Sequence, residues 1–239
     1  MRLEAELDRA HSLPVAELAD AIEAIGFECT RCGGCCKAVE GDDGERQEHT
    51  ATVFPDEVRD LQDATESFEE SYDWRDLARP MPYGVTEGPD GPAGETFEWA
   101  LQTDACGDCA FYAEAEDGTG ACTVHADRPL ICRTYPFSIE GIDERQHNGG
   151  GGLGNTEPMG GVVEQEGMVR AHECEGLGRD ISREDAEDLA AALKERAIRE
   201  LEEAIRVRDN YEPTDVGGVV IHDSEGQKRP DWSSITDTE

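Results

Sequence analysis

The stretch Cys29-Thr30-Arg31-Cys32-Gly33-Gly34-Cys35-Cys36 places four thiols within eight residues. Two-residue gaps let successive thiolates converge on one centre, and Gly33 with Gly34 lets the backbone wrap closely and turn N–H groups toward sulphur. Three cysteines at this repeat are what a ferredoxin-like loop offers a [4Fe-4S] cluster, with the fourth ligand coming from a distant cysteine. The same spacing is compatible with zinc. Cys35 and Cys36 are adjacent, so in an extended chain their side chains diverge. That predicts two metal positions, or a shared dinuclear one.

Working outward, a second cluster follows at Cys106, Cys109, Cys122, His125 and Cys132. Its C-x2-C-x12-C-x2-H portion has the spacing of a zinc ribbon, with two knuckles at the ends of a hairpin. Cys174, in HECEGLG, is either a further ligand or a lone buried thiol. Arg128 and Arg133 flank Cys132, where cations offset the negative charge of several thiolates. Trp99, Phe111, Tyr135 and Phe137 read as a small core that keeps water from the centre.

Composition explains why such a centre is needed. The chain has 239 residues, and Leu, Ile, Val and Phe together make up only 42 of them. With a formal charge of -35, that apolar content is at the level of disordered chains. Metal-ligand bonds contribute on the order of 10 kcal/mol that a thin core cannot. The acidity excludes a nucleic-acid surface of the ordinary basic kind. Three lysines stand against eighteen arginines, and carboxylates are spread over the whole length. This pattern reads as adaptation to high salt and predicts a halophilic archaeal source. The N-terminal residues carry no basic segment followed by an apolar one, and no stretch reaches the about 18 apolar residues of a membrane span. A cytoplasmic location without membrane contact is expected, where thiols stay reduced and cysteine pairs point to metal.

The predicted fold is α+β: a small cysteine-centred, metal-binding domain of short strands and hairpins, with peripheral helices and a long C-terminal helix. Residues 13–25 have apolar positions at helical spacing, with Ser12 as cap and Gly26 as stop. A short strand is expected at 50–54, a helix from Pro55 that extends or repeats over 66–78, and an irregular connection at 80–94. Phe97, Trp99 and Leu101 alternate as in a half-buried strand. Hairpins are expected at 110–125 and 162–172, and NGGGGLGN (148–155) reads as a flexible insertion. Ser182 with Asp185 caps a helix whose stripe is Leu189, Leu193, Ala197, Leu201 and Ile205. The expected divisions are an N-terminal helix (1–26), the cysteine domain (27–180), the C-terminal helix packed on it (181–210), and a polar tail (211–239) in which only VGGVVIH orders, as an added strand.

The motifs CTRCGGCC, CAFYAEAEDGTGACTVHADRPLICRTYPF and HECEGLG together resemble the YkgJ-type cysteine cluster (CxxCxxCC) family, described as zinc- or iron-chelating or iron-sulphur proteins. The likeness covers roughly residues 27–178. It implies that Cys29, Cys32, Cys35, Cys36, Cys109, Cys122, Cys132 and Cys174 are the family cysteines, with Arg128, Pro129 and Arg133 in the RPLICR segment, and it leaves Cys106 as an extra. Relatives commonly carry Tyr where this chain has His125. Eight thiolates divide into two four-ligand sites or serve one polynuclear centre. The expected role is therefore a metal-binding protein, structural or electron-carrying, whose partner is a metal ion and whose cofactor is an iron-sulphur cluster or zinc. The resemblance extends to flagellin lysine methylases, which implies a cluster-dependent enzyme as the alternative, with metal storage or delivery as a third. No S-adenosylmethionine motif is recognisable in the sequence.

Overall fold

The computed structural model describes residues 2–40, 44, 46–68, 72–89, 91–141, 161–214 and 217–235. The glycine run 148–155 lies outside them. The helices are α1 (Arg2–Ser12), α2 (Val15–Ile25), α3 (Pro55–Thr65), α4 (Trp74–Leu77), α5 (Leu130–Thr134) and α6 (Arg183–Asn210). Together with several small sheets they make an α+β fold.

The sequence cap at Ser182 starts α6, its side chain accepting a hydrogen bond from the N–H of Asp185. Leu193, Ala197 and Leu201 are buried along the expected stripe, and Ala186 and Ala190 extend it. Alanines at three of these positions let α1 and α2 lie close, and Leu18, Ile22 and Ile25 of α2 complete this first core. Its floor is a sheet in the order β10-β12-β11, formed by β10 (Phe137–Ile139), β11 (Val162–Glu166) and β12 (Val169–His172). The expected 162–172 hairpin is thus present, and it gains β10 as a third strand.

A second core surrounds Trp99. Strand β7 (Trp99–Leu101) runs between β3 (Thr52–Val53) and β4 (Ala78–Pro80), antiparallel to both. Sequence alternation predicts a half-buried strand, yet all three residues of β7 are buried. A central strand has no free edge, and here Leu61, Leu77, Phe111 and Ile221 join it in one apolar cluster. The indole N–H of Trp99 donates to Asp223 at 2.9 Å, so its one polar group is satisfied inside.

Residues 80–94, read as an irregular connection, instead contain β5 (Val85–Gly88) and the start of β6 (Gly91–Thr96) in the sheet β14-β13-β6-β5. Gly and Pro are poor strand formers locally, but β6 has a parallel partner in β13 (Val219–Asp223), which comes from more than 100 residues later. β13 also pairs with β14 (Gly226–Lys228), and Trp232 stacks on Trp74 with ring centroids 5.8 Å apart. The strand expected within VGGVVIH is thus present as β13, and the rest of the expected polar tail adds β14 and Trp232, which packs on the second core. The Ser12 cap is also corrected. Ser12 ends α1 and its hydroxyl donates to the Arg9 carbonyl, while Pro14 stands at the start of α2 without a side-chain cap.

Two buried charged side chains hold α5 where both cores meet. Glu57 of α3 accepts from the N–H of Leu130 at 2.9 Å and from that of Phe54 at 3.0 Å. Arg196 of α6 donates to Thr134 Oγ1 at 3.2 Å and to the Phe137 carbonyl at 3.3 Å. Removing either would leave buried polar groups without partners, so the orientation of α5 is strongly determined.

Candidate metal centre

Three separate stretches of chain converge on one cavity. The loop 29–36 enters from α2, where Gly26 stops the helix at φ 77°. A tight turn, with the N–H of Cys36 donating to the Gly33 carbonyl at 2.8 Å, folds the end of the loop back. Gly33 sits at φ 76°, and a Cβ there would come 2.4 Å from the Tyr112 hydroxyl, so both backbone shape and space demand glycine.

The second stretch is tied to the first by backbone. The N–H of Cys109 donates to the Cys36 carbonyl and that of Gly120 to the Arg31 carbonyl, each at 2.8 Å. Between these anchors β8 (Tyr112–Glu114) and β9 (Gly120–Cys122) form the expected hairpin. A 3-10 turn at His125–Asp127 then leads into α5, which carries Cys132. The remaining short pair, β1 (Val39–Glu40) with β2 (Arg46–Gln47), lies outside this framework. The third stretch is tied to the other side of the loop: Glu28 N–H donates to the Gly176 carbonyl at 3.0 Å, and Gly178 N–H to the Gly26 carbonyl at 3.0 Å.

The cavity measures 510 Å³, and Cys29, Cys35, Cys36, Cys109, Cys122 and Cys132 line it. Cys35 is central. Its thiol lies 3.8 Å from that of Cys36. Its charge would be felt by Cys109, Cys122, Cys132 and Cys174, and Cys174 also feels Cys32 and Cys29. Six of the eight cysteines expected as ligands therefore line one cavity, while Cys32 and Cys174 are not part of its lining. Cys106 is exposed in the turn before Cys109 and does not line the cavity. The four residues with zinc-ribbon spacing are not assembled as a set, because that turn faces outward. Among the described residues no three His, Cys, Asp or Glu donors are grouped tightly enough to hold a single ion.

The electrostatics suit a cation. The contact with Cys36, followed by burial, pushes the Cys35 thiol far up, and burial pushes Cys109 up to about 11. Burial also raises Cys122, Cys132 and Cys174. Buried thiols crowded together stay protonated until a metal takes the place of their protons, so this donor set fits a metal group. Backbone N–H groups of Gly34 and Gly176 donate to the sulphurs of Cys32 and Cys174 at 3.5 and 3.4 Å, and the bond from Gly176 favours thiolate at Cys174.

Of the two flanking arginines only Arg128 faces the thiols, and its charge lowers the proton affinity of Cys35, Cys122 and Cys132. Its Nε donates to the His125 carbonyl at 3.0 Å, which fixes its direction. Arg133 lines only a second, polar cavity of 460 Å³, whose wall Arg128 shares. Phe111 and Phe137 are fully buried along the thiol cavity, in the shielding role expected of them. Tyr135 also lines it, and its hydroxyl donates to the Glu173 carbonyl.

Sequence spacing does not single out His49. It precedes β3, is 3% exposed, and lines the same cavity. Burial holds its ring neutral, with a pKa of about 4.

A family model described as "CxxCxxCC: Putative zinc- or iron-chelating domain" matches residues 28–175. No curated protein and no solved structure matches the chain.

Proposed function

From the premise that this chain belongs to the CxxCxxCC family of zinc- or iron-chelating domains, we propose that its cysteine region holds an iron-sulphur cluster, with a structural or electron-carrying role. The proposed ligands come from Cys29, Cys32, Cys35, Cys36, Cys109, Cys122, Cys132 and Cys174. The observation that carries this reading is the distribution of thiols around the walls of a 510 Å³ cavity. A lone zinc ion needs four donors about 2.3 Å from one point, whereas a polynuclear cluster is held by sulphurs spread around it.

Each part of the protein then has a task. Cys35 is proposed as the ligand shared by the cysteines of both clusters, since its charge couples to Cys109, Cys122, Cys132 and Cys174. The Gly176 N–H group and Arg128 stabilise negative sulphur. Phe111 and Phe137 exclude water from the inner wall. When bound, an iron-sulphur cluster supplies one-electron chemistry, with a potential set by its charge, hydrogen bonds and exposure.

The test is iron, zinc and acid-labile sulphide per chain, on protein purified without air in multimolar salt. About four iron and four sulphide with a visible absorption band would support the cluster reading. One or two zinc without sulphide would refute it and leave a structural zinc protein.

A further inference from the structure

His49 is held at three points. Its backbone N–H donates to the Gly107 carbonyl at 2.9 Å, and its own carbonyl accepts from Arg79 at 2.9 Å. Its ring Nε2 lies 3.2 Å from the carbonyl oxygen of Cys35. A carbonyl oxygen only accepts, so the proton is on Nε2. In the neutral ring this leaves a bare lone pair on Nδ1. Nδ1 is buried and has no hydrogen-bond partner among the described residues.

This is an unusual place to leave a good acceptor. Buried polar atoms nearly always have partners, and an orphan calls for a reason. Metal-binding histidines show the same arrangement: one ring nitrogen donates to a backbone carbonyl, which sets the tautomer and orients the ring, and the other holds the metal. Here the carbonyl belongs to Cys35, one of the cysteines that line the cavity, and the imidazole borders that same cavity. His125, the histidine with ligand-like spacing, also lines the cavity, but it is exposed where His49 is buried.

We propose that His49 is a nitrogen ligand of the metal centre, binding through Nδ1 with its Nε2–H anchored on the Cys35 carbonyl. The assignment rests on the reading of the cavity as a metal site and adds to it a donor of different charge. A neutral imidazole in place of a thiolate makes the centre less negative, which raises its reduction potential when the metal is iron.

The test uses the full chain carrying whichever metal it takes up. For an iron-sulphur cluster, the reduced protein is labelled with ¹⁵N-histidine and examined by pulsed electron paramagnetic resonance. For zinc, X-ray absorption reads the nitrogen shell at about 2.0 Å against sulphur at about 2.3 Å. The expected result is a directly coordinated histidine nitrogen in the wild type. His49→Ala loses that signal, and His49→Cys keeps the metal with a lower potential or an all-sulphur shell. A metal-loaded wild type with an all-sulphur shell, or a nitrogen signal that persists in His49→Ala, overturns the assignment while the metal reading stands. The wild-type spectrum decides the matter even if neither variant folds. A wild type that binds neither iron nor zinc overturns the metal reading, and the assignment with it.

Discussion

The N–H of Cys109 donates to the carbonyl of Cys36 at 2.8 Å, joining two cysteine clusters 73 residues apart in sequence by a main-chain bond. Because the bond involves no side chain, the clusters can be brought together before any metal arrives. Metal binding then adds its free energy to a partly built frame.

The contrast between Cys132 and Cys106 tests that frame. Cys132→Ser is expected to release metal and lower Tm by about 10 °C, the equivalent of roughly 3 kcal/mol for a chain of this size. Cys106→Ser alters an exposed turn and should leave metal content and Tm unchanged. Metal analysis and calorimetry on both variants check this, and equal metal loss in the two would remove the distinction.

Gly176 is where the third stretch meets the first. A Cβ on it would stand 2.3 Å from the Glu28 carbonyl oxygen, a backbone atom that cannot step aside. Gly176→Ala is expected to cost about 1–3 kcal/mol, as overpacking does, and to lower metal occupancy by moving Cys174 away. At Gly217 an added Cβ meets nothing within 4 Å, so Gly217→Ala is the control in a denaturant titration.

Glu98 sets a pH dependence away from the thiols. Its Oε2 is buried without a hydrogen-bond partner, and burial, with Glu200 and Glu203 nearby, raises its pKa from 4.5 to about 8. Between these values the folded protein holds a proton that the unfolded chain has released, so Glu98 makes stability fall as pH rises through this window. Glu98→Gln should flatten that part of the profile. Urea midpoints from pH 5 to 8 would show it, and an unchanged slope would mean that Glu98 ionises freely in the folded state.

The charge of -35 makes salt a fourth variable. Raising ionic strength from 0.1 to 1 M shortens the screening length from about 10 Å to about 3 Å, which removes most repulsion between surface carboxylates. Tm is expected to climb steadily through this range in potassium chloride. A flat response would show that exposed ion pairs such as Arg183 with Asp20 and Glu187 already offset the repulsion.

Helix α6 and the two hairpins were legible because their signals are local, whereas the single N-terminal helix expected over 1–26 is two helices, α1 and α2, that break at Leu13 and Pro14. Ser182, Asp185 and a stripe at i+4 spacing identify α6, and DGTG between short apolar runs identifies the β8–β9 turn. Both depend on residues a few positions apart, whose geometry follows from backbone periodicity alone. The cysteine spacings likewise declared a thiol-rich centre. Other elements gave no such signal: β6 becomes a strand because β13 lies beside it, and Trp232 is held by Trp74 and Trp99. Neither partner is visible from a window of local sequence.

The amino-acid sequence by itself determined the α+β class, the long capped helix and the residues able to bind metal. Tertiary structure decided how those residues are grouped: Cys35 shares one cavity with Cys29, Cys36, Cys109, Cys122 and Cys132, Cys106 is exposed outside it, Arg128 lines it while Arg133 does not, and a histidine outside every motif borders it. The physical reason is that spacing fixes which side chains can share a face, whereas burial and convergence depend on main-chain bonds between distant segments, such as Cys109 to Cys36 and Glu28 to Gly176.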